Sequence, residues 1–156
     1  LLAHERVLQV SKDLPRIQNA GRLAFWITAT CAFGRYDLPE EQSMTEQLVT
    51  EANNGAIALL SSARDVFASQ NASFNKIYLR KLFVKPNQTL RVGRALQLAK
   101  IASSNGLNDQ KYWLCGDPTL NLAVPGLEIE LEKIYPDSLK ALSKISVMGS
   151  VLKNGV

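Results

Sequence analysis

Cys31 is the residue whose type and setting best fit chemistry. It closes the apolar run Leu23-Ala24-Phe25-Trp26-Ile27-Thr28-Ala29-Thr30-Cys31. A polar, turn-prone stretch follows at once, Ala32-Phe33-Gly34-Arg35-Tyr36-Asp37-Leu38-Pro39. This change of texture reads as a buried strand carrying a thiol to the edge of a sheet. In open α/β sheets, sites form outside the carboxyl ends of the strands. A thiol there can attack a carbonyl as its thiolate, and at an ordinary pKa of about 8.5 only a few per cent is thiolate at neutral pH. It therefore needs a neighbouring base. The competing reading is an inert buried cysteine, because free Cys is among the most buried residue types.

The other candidates fall on loops that the same logic places nearby. Arg35 and Asp37 follow the first strand. Arg64 and Asp65 follow a second apolar run, Ala56-Ile57-Ala58-Leu59-Leu60, through the polar loop Ser61-Ser62-Ala63-Arg64-Asp65. These four read either as a substrate rim contacting a carboxylate or peptide backbone, or as loop ion pairs worth under ~1 kcal/mol each. His4 is the sole histidine, and no apolar strand precedes it. A base must reach the thiol and be held by a third group, so an exposed or capping role is expected for His4. Cys115 lies in an apolar strand and is expected to pack. Gly116-Asp117-Pro118 reads as a turn in which Asp117 caps local N–H groups, rather than as a metal ligand. One His and no Cys-x-x-Cys argue against zinc, and no metal ligand or cofactor is assigned. No Gly-rich phosphate loop is present.

These residues need a scaffold, and its elements are legible in outline. Ser11 caps a short helix through Asn19, with Pro15 early in it and Gly21 in the turn after it. The first strand covers 23 to 30 and is apolar on both faces, as a central strand should be. A helix over 42 to 52 carries Met44, Leu48 and Val49 on one stripe and ends at Asn53-Asn54-Gly55. A second strand covers 56 to 60. Helices follow over 72 to 84, with Phe74, Ile77, Tyr78 and Leu82 in phase, and over about 89 to 103. Lys111 to Cys115 is a third strand, and Leu120, Leu122 and Val124 alternate as a fourth would. From Gly126 the texture changes. Leu127, Ile129 and Leu131 alternate with Glu128, Glu130 and Glu132, and Asn154-Gly155 signals a hairpin. That tail reads as the opening of an all-β module.

Composition bounds the alternatives. With 156 residues, 46% apolar and 21% charged, the chain has the make-up of a globular domain, or of one domain and part of another. The net charge of +4 is spread over scattered basic residues, which argues against nucleic acid as partner. No apolar run approaches the ~20 residues that span a bilayer, so no transmembrane segment is expected. Two cysteines are too few for a disulfide framework, though Cys31 and Cys115 could pair. The start at Leu1, with residues of mid-domain character, suggests a piece of a longer protein.

Three segments carry a resemblance. They are Trp26-Ile27-Thr28-Ala29-Thr30-Cys31-Ala32-Phe33-Gly34-Arg35-Tyr36-Asp37, Gly55-Ala56-Ile57-Ala58-Leu59-Leu60-Ser61-Ser62-Ala63-Arg64, and Leu114-Cys115-Gly116-Asp117-Pro118-Thr119-Leu120-Asn121-Leu122. In this order and at this spacing, they resemble the gingipain-type branch of the caspase-like cysteine peptidases. Within that branch they are similar to the surface sortases of the type IX secretion system. The resemblance implies an α/β fold: part of a caspase-like three-layer α/β/α sandwich over 1–124, then the first strands of an immunoglobulin-like β-sandwich over 127–156. It implies that Cys31 is the nucleophile and that its own N–H helps hold the oxyanion. Phe67 matches a pocket wall, against the alternative of a core aromatic, and Glu46 matches an acidic position without an assigned role. The family's base is a His followed by Gly, which places it upstream of Leu1, together with the acidic pocket residue of gingipains. A thioester acyl-enzyme, a protein or peptide substrate, and structural calcium in the parent follow from the same likeness. So do partners among outer-membrane secretion components and a location at the surface of a Gram-negative bacterium. The chain alone is expected to be inactive. The alternatives are a peptidase fold serving as a scaffold or binding module, and an unrelated cytosolic α/β protein.

Overall fold

The computed structural model describes residues 9–85, 88–103, 106–124, 127–136, 138, 140–142 and 144–153. His4, the Asn154-Gly155 pair and the segment before Gln9 lie outside the described residues. The centre of the fold is a three-stranded sheet in the order β1-β2-β5, formed by Ala24–Ile27, Ala56–Ser62 and Tyr112–Cys115. β1 runs parallel to β2, and β5 runs antiparallel to it. Among the described residues, helical segments flank this sheet: α1 (Val10–Asp13) with a 3-10 turn over Leu14–Arg16, α2 (Met44–Thr50), α3 (Ala68–Leu82), α4 (Val92–Ala102) and α5 (Leu107–Gln110). Between α3 and α4 lies a two-stranded ribbon of β3 (Phe83–Lys85) and β4 (Gln88–Thr89).

The alternation along β2 makes the fold three-layered. Successive strand side chains point to opposite faces. Leu60 joins Phe74, Tyr78, Leu82, Val92, Ala95, Ala99 and Tyr112 in a core built on α3 and α4. Its neighbour Leu59 joins Leu14, Leu48 and Ala56 in a second core beneath α2 and the N-terminal helical turn. β1 divides likewise: Phe25 and Ile27 pack on the first core, Trp26 on the second. Cover on both faces explains the buried apolar stretch Ala58 to Leu60, whereas Ile57 is 42% exposed. The α/β/α layering expected from the sequence is thus present.

Several element limits differ from expectation, each for a local reason. The N-terminal helix starts at Val10 rather than at a Ser11 cap, and Pro15 sits in the 3-10 turn that ends it. The first strand pairs only over Ala24–Ile27, because beyond it the backbone turns to serve the loop, with Thr30 N bonded to Thr28 O. β1 is an edge of this sheet, and β2 is the central strand. Ser61 and Ser62, read as loop, belong to β2 and are fully buried. α3 starts at Ala68, four residues before the apolar phase suggests. Residues 120–124 form no strand. Leu120 and Leu122 pack against the core, while Val92 N bonds to Leu120 O and Thr89 Oγ1 to Leu122 O. Beyond residue 126, β6 (Leu127–Tyr135) and β7 (Ser146–Lys153) form an antiparallel pair, with Leu127, Ile129 and Leu131 exposed.

Candidate active site

The parallel pairing of β1 with β2 brings their carboxyl ends to one edge, and the antiparallel β5 begins at that same edge. Three segments therefore converge there: the loop 28–37, the loop 63–67 and the α5–β5 junction. Buried hydroxyls fasten the first loop. Thr28 Oγ1 donates to Ser61 Oγ at 2.8 Å, Thr45 Oγ1 donates to the same oxygen at 3.3 Å, and Ser62 Oγ donates to Thr30 O at 2.8 Å. Backbone bonds complete the hold, from Ala32 N to Arg64 O at 3.2 Å and from Gly34 N to Ser62 O at 3.0 Å. Trp113 Nε1 donates to Gly34 O at 2.9 Å. Gly34 is required here, since a Cβ on it would lie 2.8 Å from both Ser61 Oγ and Trp113 Nε1. Ala32 adopts φ of +50°, a left-handed conformation uncommon outside glycine, directly after Cys31.

Cys31 is exposed. Its sulfur donates to Val66 O at 3.2 Å and accepts from Val66 N at 3.4 Å, so the thiol leans on the loop that follows β2. The Cys31 N–H has no acceptor among the described residues, which leaves it free for a ligand oxygen. Cys115 contrasts with it. It is half-buried opposite Leu59 on β2, and burial pushes its thiol pKa up, with Glu46 adding to the effect. Both thiols are free. Iodoacetamide near pH 8 is therefore expected to modify Cys31 well before Cys115, as peptide mass mapping over time would show. Equal rates at the two sites would contradict the difference in burial.

The rim residues divide into two groups. Arg64 pairs with Asp37, and that guanidinium is the main cause holding the Asp37 carboxyl below its usual range. The pair borders a cleft of about 360 Å³ lined also by Tyr36, Ala63, Leu107, Gln110, Lys111 and Trp113. Because the folded-state pKa of Asp37 is depressed, the stabilisation it brings is present above about pH 3.8 and fades as pH falls through the lower value. Arg35 lies in a separate depression of about 280 Å³ with Phe33, Leu38, Glu41 and Met44, and its Nε is buried with no partner among the described residues. The two arginines thus line different depressions, although the charge of Arg35 also acts on Asp37. Phe67 is 69% exposed, which rules out the core-aromatic reading. Its ring centroid lies 5.9 Å from Lys111 Nζ, and its N–H donates to Asn108 Oδ1 at 3.2 Å. Asp117 accepts from Thr119 N at 2.8 Å and Thr119 Oγ1 at 2.7 Å, the expected capping turn. Among the described residues, no group of three or more His, Cys, Asp and Glu side chains could hold a metal ion.

Two features escaped sequence reading. Glu46 has a structural role. It closes a capping box on α2, with Ser43 N donating to Glu46 Oε2 at 2.8 Å and Glu46 N to Ser43 Oγ at 3.3 Å. The Ser43-x-x-Glu46 spacing is a recognised helix-start signal and could have revealed it. Ser43→Ala is expected to cost ~0.5–2 kcal/mol in urea unfolding, and no change in midpoint would show that the box carries no stability. Lys111 and Trp113 were the other omission. They reach the site only because β5 runs antiparallel, a fact that local sequence does not carry.

The model of peptidase family C25 matches residues 1–123. Among solved structures, the chain is similar to the Arg specific cysteine proteinase gingipain R, with a TM-score of 0.59 and 16% sequence identity. That match covers 93% of this chain and 40% of the gingipain R chain, so this chain spans well under half of that structure. At this identity, the likeness shows the fold, which agrees with the caspase-like layering. None of the curated proteins matches the chain in sequence.

Proposed function

This chain belongs to peptidase family C25, and on that premise we propose that it forms the nucleophile-bearing part of a cysteine endopeptidase. The observation that carries this reading is an exposed Cys31 thiol beyond the carboxyl end of β1, with an N–H of its own that meets no acceptor among the described residues. In the proposed reaction the Cys31 thiolate attacks the scissile carbonyl carbon. The C–N bond breaks, the leaving amine takes a proton from a histidine supplied upstream of Leu1, and a thioester remains. Water then gives a proton to the same histidine and displaces the thiolate, releasing the acid. The Cys31 N–H supplies one hydrogen bond to the oxyanion. The sulfur's present contacts with Val66 are weak enough to yield to a substrate, since sulfur is a poor donor and acceptor.

The finer reading follows the sortase-like wording of the motifs. It is removal of sorting signals from exported proteins at the outer-membrane surface, with β6 and β7 opening an immunoglobulin-like module. No helix among the described residues is long and apolar enough to cross a membrane. The rival is a silent scaffold, which the engagement of Sγ by both polar groups of Val66 favours. A peptidyl acyloxymethyl ketone added to the full-length protein separates the two. Labelling at Cys31, absent in Cys31→Ala, is the expected result. An unlabelled Cys31 in a folded protein would leave the scaffold.

A further inference from the structure

We propose that the cleft bordered by the Arg64–Asp37 pair is a subsite for a carboxylate of the polypeptide substrate, with Lys111 and Arg64 as its specificity-determining residues. The inference rests on the peptidase reading and names a substrate class for the same site. Cleft and thiol stand on joined loops: Ala32, the residue after Cys31, bonds through its N–H to the carbonyl of Arg64, which lines the cleft. Its volume of about 360 Å³ lies within the range of about 300–1,000 Å³ for ligand pockets and suits a side chain or a chain end.

The polar lining holds two cations against one carboxylate. Asp37 is committed to Arg64, and their contact raises the Arg64 pKa as it lowers that of Asp37. The Arg64 guanidinium retains donors beyond this pair and its 3.4 Å bond to Ala63 O. Lys111 Nζ donates to the main-chain oxygen of Asp65 at 2.6 Å and pairs with no carboxylate among the described residues. Of the acids near α5, Asp109 is buried, and its charge acts on Lys100 and Tyr112. A basic substrate group would have to displace Arg64 from Asp37, whereas a carboxylate meets two cationic donors with hydrogens to give. Apolar walls favour this further. Tyr36 meets Trp113 edge-on at 4.8 Å, and Leu107 is 76% exposed beside them. These walls offer apolar surface to the methylene stem of an acidic side chain.

Binding of fluorophore-tagged decapeptides to the full-length Cys31→Ser protein, read by anisotropy, tests this without requiring turnover. Three peptides are compared: an internal Glu with an amidated end, the same peptide with Gln, and the Gln peptide with a free carboxyl end. The Glu peptide is expected to bind at least about fivefold more tightly than its Gln counterpart. That margin is expected to shrink at 0.5 M salt, to vanish in Lys111→Gln and Arg64→Gln, and to survive in Lys111→Arg. A margin carried by the free chain end alone would support the carboxylate subsite and assign it to a terminus. Equal binding of all three peptides, or a margin unchanged in both Gln variants, overturns the inference. Acid-selective binding without any cleavage by the wild-type protein would sink the peptidase reading and leave the subsite standing. Cleavage with no acid preference would do the reverse.

Discussion

Cys31→Ser in the full-length protein is expected to lower kcat/KM for peptide cleavage by at least about 10⁴-fold. The size of the effect comes from chemistry. A serine hydroxyl keeps the position but ionises far less readily than a thiol, so a site that works through a thiolate loses its attacking species. Structure should be nearly untouched. The side chain is exposed, and a hydroxyl can replace the two contacts with Val66. Stability is therefore expected to change by less than ~0.5 kcal/mol, as for surface substitutions away from special features. Pairing the two measurements makes the test strict. Lost activity together with an unchanged unfolding midpoint assigns the chemistry to the sulfur. Activity retained within tenfold would mean that another residue attacks, and the strand-end argument for Cys31 would fail with it.

That strand-end argument was legible because a strand buried at nearly every position leaves a visible mark. Leu59 and Leu60 must both be apolar, since they enter different cores, while Ile57 lengthens the run although it is 42% exposed. The change to polar residues then marks the sheet edge. Even so, the mark misplaced the edge by two residues. Ser61 and Ser62 are polar, yet they lie inside β2 because their hydroxyls bind the neighbouring loop instead of water. Alternation misled in the same way at Leu120 and Leu122. Both side chains pack on the core, but their backbone serves α4 and Thr89 rather than a ladder. The convergence of Lys111 and Trp113 on Arg64 was not legible at all. It depends on the direction of β5, which is fixed by how α3, α4 and α5 return the chain, and no window of local sequence records that. The Asp37–Arg64 pair was foreseeable only as one of two readings, and its partner cation Lys111 was not foreseen.

Phe74→Ala is expected to destabilise the domain by ~3–5 kcal/mol, the usual cost of truncating a buried aromatic. Phe74 is fully buried and stacks on Tyr112 with centroids 4.2 Å apart and planes at 16°. It belongs to the same core as Leu60, Tyr78 and Val66. Against a total stability of about 5–15 kcal/mol, this is a large fraction, and part of the population would unfold near 37 °C. The effect should reach the site as well, because Val66 belongs to that core and also carries both contacts to Cys31 Sγ. Tyr112→Phe is the matched control. It keeps the stacked ring and removes only the hydroxyl that donates to Asn71 Oδ1 at 2.6 Å. That oxygen still accepts from Asn75 Nδ2 at 2.6 Å, so no buried acceptor is stranded and the cost is about 1 kcal/mol. Burial pushes the Tyr112 phenol up to about 12, above its unfolded value of 10.0. The stability tied to its neutral form is thus complete below pH 10 and declines as pH rises through the folded value, a decline that Tyr112→Phe should reduce. Urea unfolding of the three proteins at pH 7 and 10.5 measures all of this. A loss below ~1.5 kcal/mol for Phe74→Ala would show that α3 is not pinned to the sheet through this ring.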